Sequence, residues 1–246
     1  MSTDGGTLTH RHERPTVLIS AKPRHVPWIE SQRFNRNHSG WVELPPTGQA
    51  RGVTVSQLFS VGFPGTEFVI DGDSLRAVPL DPRAMEHQAV VLEANASTLG
   101  PCVEAASQAS MAAILFAMVG SLERAQTLLL GALEQLPQST SHYARNVALV
   151  RLAQVHQLGG RLTQARELLE AVVKSCRALD ALRPMLDFGL QHLGKILFEQ
   201  GAYERSLLCL REALSIRESK GNSELIASTR LAIAAVSRMK DAVATE

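Results

Sequence analysis

"LGKILFEQGAYERSLLCLREAL", Leu193 to Leu214, reads as two short helices around a turn. "LAQVHQLGGRLTQARELLEAVV", Leu152 to Val173, starts 41 residues earlier, and "AAILFAMVGSLERAQTLLLGAL", Ala112 to Leu133, starts 40 before that. Small residues coincide at Ala113, Ala153 and Gly194, where two helices cross too closely for a larger side chain. Gly120, Gly160 and Gly201 coincide next, and glycine accepts the left-handed conformation that ends a helix. Leu122, Leu162 and Tyr203 can plug the turn, and Ala125, Ala165 and Ser206 give a second close crossing. Leu129, Leu169 and Leu210 follow four residues on, then Ala132, Val172 and Ala213 three beyond. This spacing lines one buried face of a helix. One unit cannot bury that face alone, so neighbours must stack.

The pattern resembles the tetratricopeptide repeat family in its small, glycine, aromatic-or-Leu, small, large apolar and Ala positions. A usually aromatic position holds Phe116, His156 and Leu197, and the family's Trp and late Pro are absent. The interval of 40 to 41 exceeds the family's usual ~34 and is similar to the kinesin-light-chain-like branch, with longer helices. "SELIASTRLAIAAVSRMK", with Ala235 in the small position, fits a further first helix without a partner, a capping helix. The resemblance covers roughly residues 104–240. It implies a mainly α helical solenoid of about three helix pairs plus a cap.

It also implies a concave groove lined by the first helices. In the second repeat its inward residues are Val147, Val150, Gln154, Gln157 and Leu158. In the third they are Phe188, Gln191, Lys195, Phe198 and Glu199, and in the first Ser107, Ser110, Ile114, Ala117 and Met118. Glutamine can satisfy both donors and acceptors of a peptide backbone. Lys195, with Arg151 and His192 beside it, can meet a carboxylate. A protein partner, as a peptide or helix, is therefore expected in the groove, with the chain's own N-terminal arm as the competing occupant. The family's chaperone-type carboxylate clamp needs Lys and Asn where this chain has Ser110, Ile114 and Arg151, so a chaperone tail is not expected.

Composition divides the chain near residue 100. Nine of the 11 prolines stand at or before Pro101, and the remainder is rich in helix-favouring Ala, Leu, Gln, Glu and Arg. Residues 1–14 read as a disordered tail, 15–100 as a small β-rich or extended module, and 101–246 as the solenoid. Within the module, "PTVLIS", "RGVTVSQLFSVGF", "TEFVI" and "SLRAVPL" are β-prone, with turns at Pro64–Gly65 and Asp71–Asp73. A small antiparallel meander fits. Asp81 as N-cap and Pro82 as first residue then open a linking helix.

A net charge of +1 offers no field to concentrate nucleic acid or anionic membrane. Cys102, Cys176 and Cys209 lack metal-ligand spacing and read as reduced, mostly buried thiols. The N-terminus has no apolar core for a secretory signal, so a cytoplasmic protein is expected. His10, His12, His25 and His38 have no CxxC, HExxH or acidic cluster to complete a metal site. "RHVPWIESQRFNRNHSGW" interleaves bases with Trp28, Phe34 and Trp41, which suits docking onto protein as well as stacking on nucleobases. No P-loop, GxGxxG or GxSxG is present. The expected role is a non-enzymatic interaction adaptor or scaffold without cofactors. The alternatives are a signalling or transcription-associated regulator sensing a peptide, or a small enzyme or metal site in the N-terminal module using Glu30, His25 or His38.

Overall fold

Burial along the helix after each repeat glycine follows one rhythm. Ala125, Ala165 and Ser206 are fully buried, as are Leu129, Leu169 and Leu210 four residues later, while the positions between them, Leu207 excepted, face outward or sit at the edge. The computed structural model describes residues 59–136 and 142–245. These lie within one body spanning residues 44–246. Three helix pairs carry the rhythm: α2 (Val103–Met118) with α3 (Leu122–Gln135), α4 (His142–Leu158) with α5 (Leu162–Ala178), and α6 (Leu186–Glu199) with α7 (Tyr203–Lys220). Helix α1 (Pro82–Thr98) precedes them, and α8 (Ser223–Ala244) packs on α7 as the closing helix.

Each pair turns in the same way. Gly120, Gly160 and Gly201 take φ of +91°, +75° and +73°. The amides of Ser121, Arg161 and Ala202 then bond back to the carbonyls of Phe116, His156 and Leu197 at 2.8, 2.8 and 2.9 Å. This is the backbone closure that a left-handed glycine permits at a helix end. The small residue of the first helix has an equally physical cause. A Cβ on Gly194 would stand 2.6 Å from Cγ of Leu210, and Ser206 Oγ donates to the Gly194 carbonyl at 2.7 Å. Backbone and side chain meet there with no room for a methyl group.

A 3-10 helix over Asp180–Met185, not anticipated from the repeat, joins α5 to α6 and buries Leu182 and Met185. Asp81 caps α1 by accepting from the amides of Arg83 and Ala84, with Pro82 at the start of the helix. Cys102 differs from the expected buried thiol. It is exposed and caps α2, its Sγ accepting from the Ala105 amide at 3.3 Å. Cys176 is buried and Cys209 half-buried.

Three short strands precede α1: β1 (Phe59–Ser60), β2 (Glu67–Ile70) and β3 (Ala77–Pro79), paired antiparallel in that order. Phe68 faces Pro79 and Val69 faces Val78 in register. Pro79 sits on an edge strand, where its missing N–H breaks no ladder. Val61, Phe63 and Phe68 pack against the core of α1 to α4, which is built on Met85, Phe116, Leu129 and Leu152. Leu75, in the β2–β3 connection, instead enters a cluster with Phe198, Leu207, Leu210, Ala232 and Val236. The meander therefore touches both ends of the helix array. "PTVLIS", residues 51–58, the four N-terminal histidines and the Trp28–Trp41 stretch lie outside the described residues.

Candidate functional site

Helix α6 presents a row of polar side chains one turn apart: Asp187, Gln191, Lys195 and Glu199. Helical spacing puts these on one face. Their environments differ sharply along the row.

At the first turn, Asp187 is enclosed by cations. Arg217 Nε donates to its Oδ2 at 3.0 Å, and Lys220 Nζ donates to Oδ1. Arg217 is 2% exposed and also donates to the Leu225 carbonyl at 3.2 Å and to Thr229 Oγ1 at 2.7 Å. This network ties α6, α7 and α8 together. Sequence reasoning missed it, because a single Asp and a distant Arg carry no repeat signature.

At the last turn, Glu199 is likewise engaged. Arg76 Nη2 donates to its Oε2 at 2.6 Å, and Gln157 Nε2 donates to Oε1. The same Arg76 guanidinium reaches the Gln157 carbonyl at 3.4 Å. Arg238 of α8 holds the connection from the other side, donating to the Gly72 carbonyl at 3.3 Å. Leu75, buried beside them, takes φ of +57°, a strained region for a leucine. Asp71 organises the loop by accepting from the Asp73 amide and the Ser74 hydroxyl, which holds its carboxyl below the ordinary range. So Gln157, Glu199 and Phe198, expected to face a partner, are in contact with the chain's own β2–β3 loop.

The middle of the row is different. Gln191 is 3% exposed, and neither its amide oxygen nor its nitrogen has a hydrogen-bond partner. The adjacent His192 has its Nδ1 buried and unpaired. Phe188 stacks edge-on against the His192 ring, with centroids 4.8 Å apart. Lys195 is 8% exposed and makes no ion pair among the described residues. Burial first, then the Arg217 charge, pushes the Lys195 amine down to about 8, with Glu199 opposing. Burial, reinforced by Lys195 and Arg217, holds His192 well below the usual imidazole range.

Helix α4 contributes the rest of the expected row. Val147 and Gln154 are half-buried, and Val150 is fully enclosed in the core of α4 to α7. Arg151 is buried and directed toward the preceding repeat, donating to Ser110 Oγ at 3.0 Å. Of the basic trio read from sequence, His192 and Lys195 adjoin one another, while Arg151 serves as an inter-repeat contact.

Elsewhere, a surface cleft between α5 and α7 is floored by Val173, Leu193, Leu197 and Cys209. Of its rim charges, Arg205 pairs with Glu170 and Arg177 with Glu212. Among the described residues no group of three or more His, Cys, Asp or Glu is placed to hold a metal ion. No helix among them is long and apolar enough to cross a membrane. Residues 143–219, which run from α4 through most of α7, match the family model described as tetratricopeptide repeat. No curated protein matches the chain.

Proposed function

We propose that this chain, which carries tetratricopeptide repeats over residues 143–219, is a non-enzymatic adaptor that receives a segment of another protein on the inward row of its first helices. Repeats of this family generally mediate protein–protein interaction. The observation that carries the reading is Gln191, buried in the middle of that row with both amide atoms unpartnered, beside Lys195, which makes no ion pair among the described residues. More than nine in ten buried polar groups in folded proteins are paired, because an unpaired one costs about 1–3 kcal/mol. A bound segment supplies the missing partners, while Phe188 adds apolar contact and Gln154 a further amide. The half-buried state of Phe188 and Gln154 leaves both side chains within reach of such a segment.

The test begins with a binding protein recovered by the full-length chain and then purified. It is titrated against Gln191→Ala/Lys195→Ala and against Arg166→Ala/Glu170→Ala, whose side chains lie on the second helix of the preceding pair. The first pair should weaken binding about tenfold or more, the equivalent of roughly 1.4 kcal/mol, with the fold intact. The second should leave affinity within about twofold. Equal affinity for the first double variant and the wild type would place the interface on another surface.

A further inference from the structure

We propose that the β2–β3 connection is an exchangeable plug at the Glu199 end of the α6 row, and that the surface under it takes a partner segment in which a bulky aliphatic residue is followed directly by arginine. The proposal rests on the interaction reading above and adds what controls entry to that row.

The connection is anchored through two side chains. Among residues 71–76 Leu75 alone is buried, at 1% exposed, while Asp73 is exposed and the others are half-buried. Leu75 fills an apolar pocket walled by Phe198, Leu207, Leu210, Ala232 and Val236. Arg76 follows at the pocket mouth and meets Glu199 as a fork, with Nη2 on Oε2 at 2.6 Å and Nε toward Oε1 at 3.4 Å. Its Nη2 also reaches the Gln157 carbonyl at 3.4 Å. A buried aliphatic anchor beside a guanidinium forked on a carboxylate is the chemistry of a recognition site. Here one chain supplies both halves.

The plug is held at a disadvantage. The Leu75 amide donates to the Asp71 carbonyl and the Asp71 amide to the Arg76 carbonyl, both at 2.9 Å, which reverses the chain between the strands. That reversal sets Leu75 at φ +57°, where a leucine is strained. A linear segment of another protein has no reversal to make and presents the same two side chains without that strain. The tether from Arg238 to the Gly72 carbonyl is exposed and 3.3 Å long. The receptor side is the opposite. The Glu199 side chain is only 12% exposed, and without Arg76 it keeps the Gln157 amide alone. An enclosed carboxylate short of a cation is costly, so it favours a replacement guanidinium. Lysine is a poorer replacement, because a point charge does not span both carboxylate oxygens.

Short synthetic peptides with blocked ends carry Leu-Arg, Leu-Lys, Leu-Gln or Ala-Arg once in a Gly-Ser background. They are titrated by fluorescence anisotropy against the full-length chain. While the plug is in place a peptide binds only the open fraction, which lowers its apparent affinity in proportion. Arg76→Ala loosens the plug and should tighten Leu-Arg binding about fivefold. Leu-Arg should exceed Leu-Gln and Ala-Arg by about tenfold, with Leu-Lys between, and Glu199→Gln should erase the arginine preference. In the wild type, saturating Leu-Arg peptide should quicken amide exchange over residues 70–77 and slow it in α7. This measurement needs no variant and decides the matter if Arg76→Ala does not fold. Equal affinity of the wild type and folded Arg76→Ala for the Leu-Arg peptide would overturn the proposal. So would exchange over residues 70–77 that stays constant at saturation, an arginine preference that survives Glu199→Gln, or binding by none of the peptides. The purified partner separates this failure from that of the interaction reading. A partner weakened by Gln191→Ala/Lys195→Ala but indifferent to Arg76→Ala removes the plug and leaves the reading. A partner indifferent to the first variant but tightened by Arg76→Ala moves the interface off the middle of the row and keeps the plug.

Discussion

Two turns of the same helix bury polar groups in opposite ways. At Asp187 every charge has its complement: Arg217, Lys220, and beyond them Thr229 and a carbonyl of α8. At Gln191 both amide atoms are enclosed without a partner, and Lys195 beside it makes no ion pair among the described residues. The first arrangement belongs to architecture, because its partners all come from the fold and join three helices. The second gives up stability with no return inside the described residues.

Removing one member of each cluster should separate them most clearly. Arg217→Met strands Asp187 in the interior and releases the contacts to α8. It should cost about 3–5 kcal/mol in urea unfolding, the range found when one partner of a buried pair is lost. A loss below about 1 kcal/mol would mean that the network is incidental to stability.

Lys195→Met should act in the opposite direction, stabilising the chain by roughly 1–3 kcal/mol at pH 7. Its pH dependence has a fixed sign. The Lys195 amine is pushed from an ordinary 10.5 down to about 8 by burial and by Arg217 of α7, opposed by Glu199 on its own helix. Below the folded value the amine is protonated in both the folded and the unfolded chain, and the whole burial penalty is present. Between about 8 and 10.5 the unfolded chain binds more protons, so stability rises with pH. Wild type should therefore close the gap to Lys195→Met as pH climbs through that window. Parallel melting curves for the two across it would show that Lys195 is not desolvated.

A smaller effect is expected at the row's other end. Arg76→Ala removes the guanidinium from Glu199 but leaves the Gln157 amide in place. Because the Arg76 side chain is 35% exposed, the loss should be only about 1 kcal/mol. Its value lies in accessibility: amide exchange in β2 and β3 should quicken while α7 stays protected. Uniform quickening would instead make the meander an integral part of the helical core.

Arg177→Ala is the baseline. Its ion pair with Glu212 joins two exposed side chains, and the midpoint should move by no more than about 0.5 kcal/mol. A larger shift would mean that polar pairing at the surface matters as much as in the α6 row, and the contrast between the clusters would lose its force.

The helix pairs were legible because their causes are local and repeated. Gly160 and Gly201 sit at left-handed turns, and Ala113, Ala153 and Gly194 at tight crossings, and each constraint recurs 40 to 41 residues on. Strands β2 and β3 fall within "TEFVI" and "SLRAVPL", whose composition is β-prone. The one-turn spacing of Gln191, Lys195 and Glu199 along a single helix followed from the repeat as well. What each met there did not. Arg76 and Glu199 are 123 residues apart, and Arg217 and Asp187 30 apart in different helices. Such pairings depend on tertiary geometry that no spacing encodes. The same ignorance explains Arg151, whose charge was read toward the groove but whose guanidinium bonds to Ser110 across the repeat boundary.

The meander's reach from the first repeat to the last has a consequence in time. A stack of repeats contacting only their neighbours can form from its N-terminus onward as each unit is completed. Here the earliest segment waits for the latest: Leu75 needs Leu210 and Val236, and Gly72 needs Arg238, 166 residues further on. At synthesis rates of about 5–20 residues per second, that interval lasts roughly 8–33 seconds. Throughout it Leu75 has no complete surface to cover, while Phe63 and Phe68 already have the core of α1 to α4. The clasp closes only after α8 has emerged, so α8 is the helix that fixes the β2–β3 connection.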